Sequence, residues 1–347
     1  MTGSARATTT LEDMLSHYRQ QALAEIERHL PRGEPRQWLY EPMAEYPRRT
    51  GKGLRAALCL ATCGAYGGSE GDAVAAAAAI ELAHNAFLIH DDIQDGSAWR
   101  RGGPTLHQRE GMPLALNAGD ALAMLSFEVL RSGGDRLGRR LSSRIVDEFC
   151  SAMWRTLEGQ ALELGWRRDG VTCLSPQDYL ELVAAKTCWY TTIAPLRIGA
   201  LIGSWGNADL GALSRFGLFL GAAFQITDDV LNLTGGQAVY GKEIRGDLRE
   251  GKRTLMIIHL LSVAEPALRD AVVSLMAGSD ADRTDDRLHW LAGLLEEHGS
   301  ITFAKGFARG VADGAEAAFP EAFRSAIQPD KADVIRHLVD YVVERTR

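Results

Sequence analysis

The chain has 347 residues, 46% of them hydrophobic, with 38 basic against 45 acidic side chains and a net charge of -7. That length can bury a large core in one all-helical unit, and the acidic balance argues against a general nucleic-acid binder. Five scattered cysteines without a Cys-x-x-Cys pair point to neither a disulfide framework nor a zinc site. Residues 1–10 are small and polar and read as a disordered start without a signal peptide, leaving 11–347 as one all-helical domain. No charge-free apolar run reaches bilayer length, so the expectation is a soluble, cytoplasmic protein with no membrane span.

An amphipathic helix is predicted from Leu11 to Leu30, closed by Pro31, Gly33 and Pro35. The segment Tyr46 to Arg55, YPRRTGKGLR, then leads into a helix that Gly67 and Gly68 end. Glycines beside Lys52 leave backbone N–H groups open to an anion, and Lys52 and Arg55 add positive charge near a helix start. An ordinary solvated loop would also read this way.

The helix predicted from Asp72 to Asp95 is alanine-rich and apolar nearly all round until Glu81, as a central buried helix should be. It ends in an acid cluster: Asp91 and Asp95 share a face, and Asp92 lies three residues before Asp95. Three carboxylates so spaced repel one another unless cations sit among them, and oxygen-only ligands suit Mg²⁺. Arg100 and Arg101 follow at once and can hold phosphate oxygens. A solvated acidic helix end before a basic turn is the competing explanation. His84 lies about two turns before Asp91 and can share its face, although a lone histidine there could simply be core. Ala86 and Phe87 lie about one turn below the acids, where they would line a cavity beneath the metal end.

Two further helices are predicted, Met112 to Leu130 and Leu141 to Leu164. Ser175, Pro176 and Asp178 then form a helix-start signature. That helix carries Lys186 and Thr187, and Pro195 should kink it. The helix from Gly211 to Leu233 repeats the earlier chemistry as FQITDDVLNLTG, with Gln225 one turn before Asp229, the pair Asp228 and Asp229, and Asn232 where a third acid could stand. A glycine-rich charged loop, YGKEIRGDLREGKRT, brings Lys242, Asp247 and Lys252, and amphipathic helices fill the chain from Thr254 onwards. Two acid-bearing helix ends facing each other would bracket a diphosphate.

These motifs, in this order from about residue 50, resemble those of the trans-isoprenyl diphosphate synthases, the polyprenyl synthetase family. The first matches by Asp91, Asp92, Asp95, Arg100, Arg101, Gly102, Pro104 and Thr105, the second by Phe224, Gln225, Asp228 and Asp229. The resemblance implies an antiparallel helix bundle around a deep central cavity, the isoprenoid synthase fold. It implies Mg²⁺, three ions per site, on Asp91, Asp95 and Asp228, with Asp92, Asp229, Arg100 and Lys186 completing the catalytic set. Lys52, Arg55, His84 and Arg101 would hold isopentenyl diphosphate. Arg100, Lys186, Thr187, Gln225, Lys242 and Lys252 would hold the allylic diphosphate. The family's Gly-Gly-Lys-Arg-x-Arg-Pro segment is matched imperfectly: Thr50 replaces the first glycine, Gly53 the first arginine and Ala56 the proline. Ala86 and Phe87 would set chain length, one small and one bulky, which favours a twenty-carbon over a fifteen-carbon product. A homodimer through the early helices is implied as well. A synthase-like terpene cyclase and a non-catalytic partner subunit are the rival functions; retention of both the basic pocket and the first acid cluster argues for elongation.

Overall fold

Helix succeeds helix along nearly the whole chain, and the computed structural model describes residues 11–49, 51–235 and 245–344. Residues 1–10, Thr50 and Lys242 lie outside the described residues. Helix α1 (Leu11–His29) buries Leu15, Tyr18, Ala22 and Ile26, the three-and-four spacing of one helical face. Helix α2 (Glu41–Arg48) leads to α3 (Leu54–Ala65), every residue of which is buried. Helix α4 (Glu70–Asp95) starts two residues earlier than its apolar pattern suggests, because Ser69 and Asp72 form a capping box. It stops at Gly96, whose φ of +66° is left-handed and costs glycine little.

A two-residue antiparallel ribbon follows, pairing Trp99–Arg100 with Gly103–Pro104. Then come α5 (Leu106–Glu110), α6 (Met112–Ser132), α7 (Gly134–Leu137) and α8 (Arg139–Arg168). Helix α9 (Pro176–Val183) opens on the expected Ser175 and Asp178 capping box. It continues through a π-helical stretch, Ala184–Ile193, into α10 (Ala194–Gly203). The expected irregularity thus lies upstream of Pro195 rather than at it. A proline lacks the N–H that would close the preceding turn, and the wider π turns absorb that loss. Helix α11 (Leu210–Thr234) and the short α12 (Gly246–Arg249) complete the cavity walls. Helices α13 (Leu255–Val263), α14 (Pro266–Ala277), α15 (Asp285–Glu297), α16 (Ser300–Ala322) and α17 (Pro329–Glu344) close the bundle.

The core has two parts. One lies between α3, α4, α6, α10 and α11, and the other joins α9, the π-helical stretch and α11 to α13, α14, α15 and α16. Glu70–Asp95, Met112–Leu137 and Leu210–Thr234 are each long and apolar enough, by length and composition, to cross a membrane, although charged residues interrupt each of them. The apolar windows of the first and third are 72% and 56% buried inside the bundle, so much of their apolarity is spent on the core. The second is 44% buried.

Candidate active site

The C-terminal halves of α4 and α11 face a cavity of about 440 Å³, lined also by α3, α8, the π-helical stretch and the segment around Lys252. Asp91, Asp228, Asp229 and Asp247 line it, so the two acid-bearing helix ends do share one space. The three aspartates at the C-terminal end of α4 have different surroundings. Asp92 is fully buried, accepting from Tyr46 Oη at 2.5 Å and Arg100 Nε at 2.6 Å. It is spent on orienting Arg100, whose Nη2 reaches Asp91 at 3.3 Å. Burial opposes the charge on Arg100, but Asp92 and Asp91 outweigh it and hold its pKa above the ordinary guanidinium value. Asp95 is nearly inaccessible and does not line the cavity, pairing with Arg167 Nη1 at 2.5 Å and Lys252 Nζ at 3.1 Å.

Two glycine-dependent approaches place the lysine and arginines. Gly159 on α8 lets the π-helical stretch come so close that a Cβ there would lie 2.6 Å from Lys186 Cα. Lys186 Nζ thereby reaches Glu163 at 2.5 Å and Asp91 at 3.6 Å. Burial again opposes the charge, and Glu163 and Asp91 overcome it, so Lys186 stays protonated. The two-residue turn of the ribbon puts Arg101 at φ +48° and Gly102 at φ +77°, both left-handed. Arg100, in the strand, points to the acids, whereas Arg101, in the turn, donates to Asn85 Oδ1 at 3.3 Å and His84 Nε2 at 3.0 Å. His84 Nε2 is therefore an acceptor here.

On α11, Asp229 accepts from Tyr179 Oη and Gln225 Nε2, each at 2.7 Å, and Gln225 Oε1 accepts from Thr187 Oγ1 at 3.0 Å. Thr187 and Gln225 thus serve an internal chain of hydrogen bonds that aims Asp229. Burial, with the neighbouring Asp247 and Asp228, pushes Asp229 up to about 8. Asn232 holds the following segment: its side-chain oxygen accepts from Asp247 N at 3.1 Å and its carbonyl from Arg245 N at 2.9 Å. The neutral amide fixes Asp247 without adding a further charge to an already acidic wall. Lys252 pairs with Asp95, with Asp247 at 3.3 Å and with Glu250 at 2.5 Å.

The other end of the cavity is basic. Arg55 is buried, donates to Thr191 Oγ1 at 2.8 Å and lies 4.5 Å above the Tyr190 ring. Lys52 is exposed, with Tyr341 of α17 5.8 Å away. Tyr190 also meets Phe87 edge-on at 5.6 Å, so one aromatic ring separates the basic end from the apolar wall. Ala86 does not line the cavity; it is buried in the core. Neighbouring residues on a helix point about 100° apart, and Phe87 takes the cavity side. Tyr190, Glu163 and Arg167 belong to the site without standing out in the sequence beforehand. Their contacts are tertiary and no local pattern announces them.

Among the described residues, no three acid, histidine or cysteine side chains converge as a ready metal site, because the carboxylates are drawn onto arginine and lysine. The donor set nevertheless suits a hard cation: all oxygen, from both helices, with surplus negative charge around Asp229 that a divalent ion would relieve.

The sequence model of the family described as polyprenyl synthetase matches residues 36–291. A short chain isoprenyl diphosphate synthase of Methanothermobacter thermautotrophicus is 33% identical over 297 residues, 85% of this chain and 86% of that protein. The crystal structure of a geranylgeranyl pyrophosphate synthetase from Pyrococcus horikoshii superposes with a TM-score of 0.83 at 30% identity, over 96% of this chain and 99% of its own. A polyprenyl synthase from Caulobacter crescentus, complexed with calcium and isoprenyl diphosphate, gives 0.84 at 26% identity, over 99% and 100%.

Proposed function

Because the chain belongs to the polyprenyl synthetase family and is a prenyltransferase, we propose that it joins isopentenyl diphosphate head-to-tail to an allylic diphosphate, giving all-trans geranylgeranyl diphosphate. The carrying observation is one cavity with acids from two helices at one end and a separate cluster of cations at the other. The acid end takes the allylic diphosphate and the basic end isopentenyl diphosphate. Magnesium, three ions per site, would be held by Asp91, Asp95 and Asp228 and would neutralise the leaving diphosphate. Asp95 can join only when Arg167 and Lys252 release it.

Arg100, Lys186 and Lys252 face the leaving group from the protein side, already charged and oriented by Asp92, Glu163 and Glu250. Such preorganised charge stabilises the anion as it forms. Lys52, Arg55, His84 and Arg101 hold isopentenyl diphosphate so that its double bond meets the allylic cation. Phe87, Leu88, Leu157, Leu182 and Val183 wall the apolar part, keeping water from the cation and giving the product tail its channel. The released diphosphate takes the departing proton.

The reading includes a cytoplasmic homodimer without nucleic-acid partners. Met112, Leu116, Met124 and Phe127 lie exposed along α6 at helical spacing, an apolar stripe that a second copy would cover. Purified protein given Mg²⁺, isopentenyl diphosphate and either dimethylallyl, geranyl or farnesyl diphosphate should yield a twenty-carbon diphosphate by mass spectrometry. A fifteen-carbon end product, cyclised hydrocarbon or no turnover would refute this assignment.

A further inference from the structure

The basic end holds one arginine that no motif announces. Arg19, midway along α1, lines the cavity together with Lys52, Arg55 and Arg101, and the carboxylate lining this end is Glu81. The hydrogen bond recorded for the Arg19 guanidinium runs from Nη2 to the Arg49 carbonyl oxygen at 3.4 Å, a long and weak contact. Among the described residues it has no ion pair with a carboxylate. Its stem is fixed by Gly53, which sits at φ +65°, and a Cβ on residue 53 would lie 2.6 Å from Arg19 Cβ. The stem of Arg19 therefore occupies the room that a side chain at position 53 would need, and it does so with a cation of its own.

The surroundings call for an anion. Arg55 Nε is buried without a hydrogen-bond partner, and the N-terminus of α3 opens at Gly53 and Leu54 beside it. Burial and the nearby Arg100, Arg55 and Arg19 lower the Arg101 guanidinium to about 10, with Glu81 opposing. Cations gathered with so little acid to offset them are stabilised when a multiply charged anion arrives.

The geometry points to Arg19 of α1 as a further diphosphate-binding residue, which with Lys52, Arg55 and Arg101 completes the isopentenyl diphosphate pocket in place of any side chain at residue 53. The assignment rests on the reading above that this end takes isopentenyl diphosphate. It explains why Gly53 is tolerated beside Lys52: the missing charge enters from another helix.

The test is Arg19→Met, which keeps the stem against Gly53 and removes the charge, with Arg19→Lys as the conservative partner and thermal melting as the fold control. Steady-state kinetics should show KM for isopentenyl diphosphate raised about tenfold or more in R19M and largely restored in R19K. KM for the allylic diphosphate should stay within about twofold. Calorimetric titration with inorganic pyrophosphate gives a readout independent of turnover and should show weakened binding in R19M. Unchanged KM for isopentenyl diphosphate and unchanged pyrophosphate affinity in R19M would overturn the role of Arg19 alone. Equal rises in both KM values would also overturn it, by making Arg19 merely structural. A wild-type protein that neither consumes isopentenyl diphosphate nor binds pyrophosphate would overturn the reading beneath it.

Discussion

Replacing Gly159 by alanine tests how tightly catalysis depends on one close helix approach. The new methyl would lie 2.3 Å from Lys186 N and 2.6 Å from Lys186 Cα, whereas ordinary contact begins at 3.4 Å, so α8 and the π-helical stretch must part by about 1.1 Å. Overpacking of this kind costs about 1 to 3 kcal/mol. The shift also moves Lys186 from 3.6 Å to about 4.7 Å from Asp91, weakening that attraction by about 1.1 kcal/mol at an effective dielectric near 20. A misplacement of this size in a charge-stabilising site lowers kcat by roughly 10- to 100-fold. The assay pairs thermal melting with kcat under saturating substrates. Gly165→Ala on the same helix is the control: nothing lies within 4 Å of its added Cβ, so it should be neutral or stabilising by up to about 1 kcal/mol. If G159A melts and turns over like the wild type, the idea that this approach positions Lys186 is wrong.

Removing the guanidinium in Arg100→Ala strands the buried Asp92 carboxylate with Tyr46 alone, and denaturant unfolding should show a loss of about 3 to 5 kcal/mol; a loss below about 1 kcal/mol would contradict the pairing. Phe87→Ala should lengthen the product seen by mass spectrometry, while Ala86→Leu should cost about 1 to 3 kcal/mol of stability and leave chain length unchanged, since Ala86 sits in the core. Chelation should abolish turnover and Mg²⁺ restore it. At about 100 times its Kd the ion should add about 2.7 kcal/mol of stability, visible as a higher melting temperature in the wild type and a smaller rise in Asp228→Asn.

The helices and the paired acid clusters were legible because they are written in short-range patterns: alanine and leucine at helical spacing, carboxylates three and four apart, Ser175 with Asp178. What escaped was whatever depends on which surfaces meet. Asp92 and Asp91 look equivalent in sequence, yet Tyr46, 46 residues away, and Arg100 bury one of them and leave the other at the cavity. Ala86 and Phe87 both seemed to sit below the acids, and only the packing of α4 decided which faces in. The wide turns before Pro195 follow from the proline, but their position depends on how far the neighbouring helices let the backbone expand. Asn232, which reads as a weakened metal ligand, proves to be a tether for Asp247.

The ribbon turn has a mechanical consequence. Arg100 and Arg101 are consecutive residues that face opposite ends of the cavity, one in strand geometry and the other in a left-handed turn. The roots of the arginine at the acidic end and the arginine at the basic end are thus spaced by a single peptide step of about 3.8 Å between Cα atoms. Covalent geometry cannot stretch as the gap between α4 and α11 can when the bundle breathes. Whatever the helices do as ligands enter and leave, the two side chains spring from a common anchor, and only their own torsions bring the guanidinium groups nearer together or farther apart.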